Sequence, residues 1–255
     1  VLQHAKGDLE DSFYSLEKAM DYAKLSGNRR MEGYSLASIG DLYRSLDALD
    51  EALEAYANAM KIAQDIEDQY LILYIRLAES HIRVLQRGFK QADTLLELAF
   101  NQARKSKSEF EIRQCDLEKA LYTYFAGDIS TAVIMLSPLE DYFIESGQNE
   151  LIFTVEAYLA VALAKSGRRM ESVPFFEKML KHLDSQASHA DYLLVCLELE
   201  KDLRSLLNQS DISVFVESIL SRLSFYQEKV QRVRRKVRHD ASVVPFAKPK
   251  LVIRA

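Results

Sequence analysis

In the stretch "GDLYRSLDALDEALEAYANAMKIA" (residues 40–63), small residues and tyrosines recur at helical spacing. Ala52, Tyr56 and Ala59 lie four and three residues apart, on one face of a helix. Alanine at such a place lets a second helix approach closely, and a large residue one turn on fills the space beside it. The pattern repeats along the chain. Steps of 40 from Ala52 reach Ala92, Ala132 and Ser172, and one step back reaches Ser12. Four residues later the chain reads Leu16, Tyr56, Leu96, Leu136, Phe176 and Val216. Three further on it reads Ala19, Ala59, Ala99, Leu139, Met179 and Ile219. Five before the small residue stand Gly7, Asp47, Arg87, Gly127, Gly167 and Leu207, where glycine suits a helix end of positive φ.

The columns predict an all-α chain of helix pairs. Second helices are expected near 8–25, 48–65, 88–105, 128–145, 168–184 and 211–238. First helices are expected near 30–46, 69–86, 109–126, 149–166 and 189–207, and the first unit lacks most of its first helix. The composition agrees, since 8 Gly and 4 Pro among 255 residues interrupt little.

The spacing of Gly40, Tyr43, Ala52, Tyr56 and Ala59 resembles the tetratricopeptide repeat (TPR). "AGDISTAVIML" (residues 126–136) and "AKSGRRMESVPFFEKML" (residues 164–180) are similar to weaker copies. The usual repeat has about 34 residues, so a period of 40 implies longer helices and turns. Such a period resembles the arrays of large bacterial transcriptional regulators of the maltose-activator-like group. The resemblance covers about residues 5–225. It implies a right-handed superhelical solenoid of antiparallel pairs, with terminal repeats that degenerate as caps. At the last repeat Ile212 replaces the small residue.

The resemblance also implies where a partner sits. First helices line the concave side of a TPR array, which takes a protein or peptide partner. On that face the family pattern places Tyr34, Asp41, Arg44, Tyr74, His81, Tyr124, Lys201 and Arg204. A bland reading competes for each: tyrosines packed between helices, charges merely solvated. Co-chaperone TPRs clamp a carboxylate with Lys and Asn. The corresponding column here reads Asp41, His81, Leu121 and Val161, which argues against a chaperone-tail receptor.

Several chemistries lack support. A net charge of −5 points away from a protein that coats nucleic acid. Cys115 and Cys196 form no CxxC spacing, which fits packed thiols in a reducing, cytoplasmic setting. His4, His81, His182, His189 and His239 make neither HxxxH nor HExxH, so no metal site is expected. No phosphate-cradling glycine loop occurs, and neither an enzyme nor a cofactor is expected. No membrane association is expected either: the most apolar stretch, residues 151–164, is too short to span a bilayer and contains Glu156.

The C-terminal part changes character. Residues 226–240 read as a basic extension of the last helix. From 227 to 239, Lys229, Arg232, Arg234, Arg235, Lys236 and Arg238 oppose only Glu228, a net of +5, which leaves −10 on the rest. Leu223, Tyr226, Val230, Val233 and Val237 form an apolar stripe along the same helix, which favours a capping helix with a basic outer face. Residues 241–255 read as a linker, broken by Pro245 and Pro249, followed by a strand at "KLVIR". "PKLVIRA" resembles the opening strand of the winged-helix domain of SARP-like and response-regulator-type transcription factors. Both ends read as cuts from a larger protein.

The leading expectation is therefore a regulatory TPR region that relays partner or inducer binding, or self-association, to a downstream DNA-binding domain. A general TPR scaffold unrelated to transcription is the alternative. A third reading has the basic helix touch nucleic acid directly.

Overall fold

The computed structural model describes residues 9–185 and 189–239, and every regular element among them is a helix. The elements are α1 (Leu9–Leu25), α2 (Arg29–Ser45), α3 (Leu49–Asp65), α4 (Gln69–Leu85), α5 (Phe89–Ser106), α6 (Glu109–Phe125), α7 (Ile129–Glu145), α8 (Asn149–Lys165), α9 (Arg169–Asp184), α10 (His189–Glu198), α11 (Glu200–Ser205) and α12 (Ser213–His239). Consecutive helices pack in pairs, a solenoid of TPR type. The linker and strand expected over 241–255 lie outside the described residues.

The turns explain the regularity. Seven of the first eight helices have 17 residues and α5 has 18. Each is followed by a short turn whose chain passes through positive φ. These positions are Gly27, Asp47, Glu67, Arg87, Lys107, Gly127, Gly147 and Gly167, stepping by 20. The same left-handed turn thus serves both within and between pairs. Four of the eight carry a side chain there, at a cost of about 1 kcal/mol each. Replacing the exposed Glu67 with glycine should therefore raise stability by about 0.5–1 kcal/mol, seen as a higher melting temperature.

Helix starts are capped by side chains where the sequence allows. Asn28, Asp68, Ser108 and Asp128 each accept a hydrogen bond from the backbone N–H three residues on. Beyond the caps, stability comes from a large apolar core and a smaller cluster of Leu73, Ala99, Ala103 and Cys115 between α4, α5 and α6. Ala52, Ala59, Ala92, Ala99, Ala132 and Ser172 are fully buried, as are Tyr56, Leu136 and Phe176, while Leu96 is nearly so.

Gly40 shows how tightly the pairs are set. A Cβ there would stand 2.5 Å from Cε1 of Tyr56, a ring without solvent exposure. That ring cannot swing aside, because its hydroxyl donates a 2.6 Å hydrogen bond to Asp41. Gly40→Ala would gain about 1 kcal/mol of helix propensity yet lose more to overpacking. A net destabilisation of about 1–2 kcal/mol is expected in denaturant unfolding.

The solenoid closes on itself. α10 reaches α2, and α12 reaches α1. The Tyr226 hydroxyl of α12 donates to the Ser45 carbonyl of α2 at 3.2 Å, across 181 residues of sequence. Leu223, Tyr226, Val230 and Val233 of α12 are buried, and Lys229 and Arg232 are exposed. The side chains of Arg234, Arg235, Lys236, Val237 and Arg238 lie outside the described residues.

Candidate functional site

Ring closure turns the concave face inward. The first helices of the pairs, α2, α4, α6, α8 and α10, surround a cavity of about 500 Å³. Volumes of this order are typical of ligand sites. Its walls follow the 40-residue period. Tyr34, Tyr74, Gln114, Thr154 and Leu194 occupy one column, and Ser38, Ala78, Glu118 and Glu198 another.

Of the residues the family pattern placed on the concave face, Tyr34, Asp41, Arg44, Tyr74 and His81 line this cavity. Tyr124 is buried beside it, its ring edge-on to Tyr158 at 5.1 Å and its hydroxyl 2.5 Å from Asp202. Lys201 and Arg204 are exposed, and Arg204 pairs with Glu200 one turn away.

Three ionisable groups from different helices meet at the centre. His81 Nδ1 lies 3.2 Å from Glu118 Oε2, and His81 Nε2 lies 3.0 Å from Glu198 Oε1. All three side chains are less than one-tenth exposed. Burial alone would push the imidazole towards neutrality. The facing carboxylates of Glu198 and Glu118 outweigh it and raise the His81 pKa to about 10. Burial also opposes ionisation of Glu198, but His81, Arg44 and the 3.0 Å hydrogen bond from Tyr158 bring its pKa below the ordinary value. For Glu118, burial prevails over His81 and its pKa is raised. The imidazolium thus ties α4 to α6 and α10 at once.

A second cluster adjoins it. Asp41 Oδ1 accepts hydrogen bonds from both Tyr56 and Tyr74, each at 2.6 Å. Arg44, one turn beyond Asp41, is enclosed by protein, and the surface it keeps faces the cavity. Burial works against its charge, but Tyr56, Asp41, Glu198 and Tyr74 favour the charged form and raise its pKa. Near the N-terminal ends of their helices, Asp191 of α10 and Glu150 of α8 add negative charge. Burial, and then Glu150, raise the Asp191 pKa to about 6.

Two atoms of lining residues, Arg44 Nε and Glu118 Oε1, are sealed from solvent and have no hydrogen-bond partner among the described residues. Buried polar atoms are overwhelmingly paired, so each such exception needs an explanation. The sequence reading missed Glu118 and Glu198. Stepping by 40 from Ser38 gives Ala78, Glu118, Tyr158 and Glu198, a mixed column of two small residues, two acids and a tyrosine that carries no obvious helix-packing signature.

Other chemistry is sparse. Cys115 and Cys196 are buried thiols, and burial pushes both up to about 12, away from the reactive thiolate. Among the described residues, no group of three His, Cys, Asp or Glu side chains is placed to hold a metal ion. Among them, too, no helix is long and apolar enough to cross a membrane.

Comparison with known proteins agrees on the architecture. Residues 1–85 match the family model described as anaphase-promoting complex subunit 5. Among solved structures, the chain is similar to the Rap conjugation gene regulator of plasmid pLS20 in complex with the Phr* peptide. That likeness has a TM-score of 0.57 at 15% identity and covers 93% of this chain and 77% of the other. At that identity the similarity is one of fold. No curated protein matches the chain.

Proposed function

We propose that this chain is a protein-interaction module with a regulatory role, and that its central cavity holds a short peptide segment. The observation that carries this reading is a cavity of about 500 Å³ walled by five first helices, whose lining mixes carboxylates, a guanidinium and hydroxyls with leucines and tyrosine rings. A peptide donates and accepts hydrogen bonds along its whole length and carries polar and apolar side chains, which suits such a lining. The Rap regulator, which shares the fold, is in complex with a peptide, and this supports the reading. A regulatory role follows from the position of the site. Its walls come from five first helices, so an occupant favours one arrangement of the ring over others.

The test is retention of peptides from a randomised pentapeptide pool, read by mass spectrometry after size exclusion. The wild-type chain should retain a subset. Ser38→Trp, which fills the cavity from α2, should retain none while melting normally. Absence of retention by the wild type, or equal retention by Ser38→Trp, would remove the proposal.

The finer setting we propose is a bacterial transcriptional regulator. It is supported by the resemblance of "PKLVIRA" to a winged-helix opening strand and by the basic run from Lys229 to Arg238. The full-length protein should then bind DNA in a salt-sensitive way. A full-length protein with no such binding would leave a general interaction scaffold instead.

A further inference from the structure

We infer that the ring opens and shuts at the seam between its first and last units, that this opening admits the occupant of the cavity, and that the bond between His81 and Glu198 is its latch. The role of the occupant rests on the peptide reading above, and the opening itself does not.

The topology puts the parting line at the seam. Each unit of a solenoid is held by its neighbours, so stability is close to a sum of neighbour interfaces. All of those interfaces survive when the seam parts, because the seam joins units distant in sequence. It consists of α10 against α2 and α12 against α1, far slighter than the packing between consecutive helices from α1 to α9. A small rotation at each pair, summed around the ring, is enough to part it.

The polar groups suit two states, because their bonds divide by reach. His81 Nδ1 and Glu118 Oε2, 3.2 Å apart, join α4 to α6, helices of neighbouring pairs that also pack together. The Tyr158 hydroxyl donates to Glu198 Oε2 at 3.0 Å and joins α8 to α10, again neighbours. His81 Nε2 and Glu198 Oε1, 3.0 Å apart, join α4 to α10, which lie three pairs apart. Opening breaks the third bond and keeps the first two. His81 then retains a carboxylate, Glu198 retains a hydroxyl, and water reaches both. Neither charge is left buried and alone, the condition that makes the loss of one partner costly. The bond from Tyr226 to the Ser45 carbonyl is one that water can replace. Tyr34 and Asp41 of α2 and Leu194 and Glu198 of α10 all line the cavity, so an occupant that touches both sides favours the shut ring.

The experiment places spin labels at Asp50→Cys and Lys229→Cys, exposed positions on either side of the seam, and measures their separation by pulsed electron resonance. The native thiols, Cys115 and Cys196, are buried and escape labelling. A control pair, Glu54→Cys and Thr94→Cys, sits on exposed positions of α3 and α5. The seam pair should show a major short distance and a minor long one. Glu198→Gln, and separately Tyr226→Phe, should raise the long fraction at least five-fold and leave the control pair unchanged. Peptides retained from the randomised pool should lower the long fraction at least two-fold.

A single seam distance unchanged in both variants would overturn the inference. So would a control pair that broadens equally, since the variants would then loosen the whole array. Retained peptide that leaves the long fraction unaltered would overturn the link between seam and site. If no peptide is retained, the peptide reading fails, and the label distances still decide whether the ring opens.

Discussion

His81→Leu should lower the stability of the array by about 3–5 kcal/mol, the usual cost of removing one partner from a buried ionic group. For a chain of this size that is a fall of about 10 °C or more in melting temperature. The loss comes from what stays behind: Glu118 and Glu198, two carboxylates less than one-tenth exposed, left without the cation between them. The variant should regain stability as the pH falls and these carboxylates take up protons. Replacing Glu118 with leucine as well should restore part of the loss, since an apolar substitute avoids the buried charge.

The wild type should show the opposite trend on the alkaline side. His81 titrates at about 10 in the folded chain against 6.5 for the ordinary imidazole. Its contribution is complete below pH 6.5 and is lost as the pH rises through about 10. Melting followed from pH 7 to 9.5 should therefore show declining stability, and His81→Leu should lack that component. A flat wild-type profile, or parallel profiles for the two proteins, would mean that His81 is not held as a cation.

Ala52→Glu is expected to cost about 3 kcal/mol or more, through overpacking and an unpaired buried charge. Ala52 lies in the first turn of α3, has no solvent exposure and belongs to the larger core cluster. The α2–α3 contact it serves is closely set, as the absence of room for a Cβ at Gly40 shows. A helical surface could hydrate the new carboxylate, but this position cannot. Unchanged thermal melting of the variant would contradict the burial of the column that also contains Ala92 and Ala132.

The helix pairing was legible because its causes are local and repeated. A small residue at Ala52, a ring at Tyr56 and another small residue at Ala59 can only be one face of a helix packed closely on another. Gly127 and Gly167 marked turns of positive φ for the reason glycine usually does. Asp47, Glu67, Arg87 and Lys107 adopt the same backbone without glycine, so the full series of turns, every 20 residues, was only half visible.

The site was less legible. Asp41, Arg44 and His81 could be placed on the concave face, but as isolated residues of a groove. Glu118 and Glu198 gave no signal, since an acid on a helix is ordinarily a solvated one.

The sequence by itself thus determined the helices, their pairing and the faces they bury, since each depends on residues within about two helices of one another. Only the tertiary structure decided that the array closes. Closure depends on the small rotation between successive pairs, summed over the whole chain until α10 meets α2 and Tyr226 meets Ser45. That sum brings His81, Glu118 and Glu198 together from three helices and turns an open groove into a cavity.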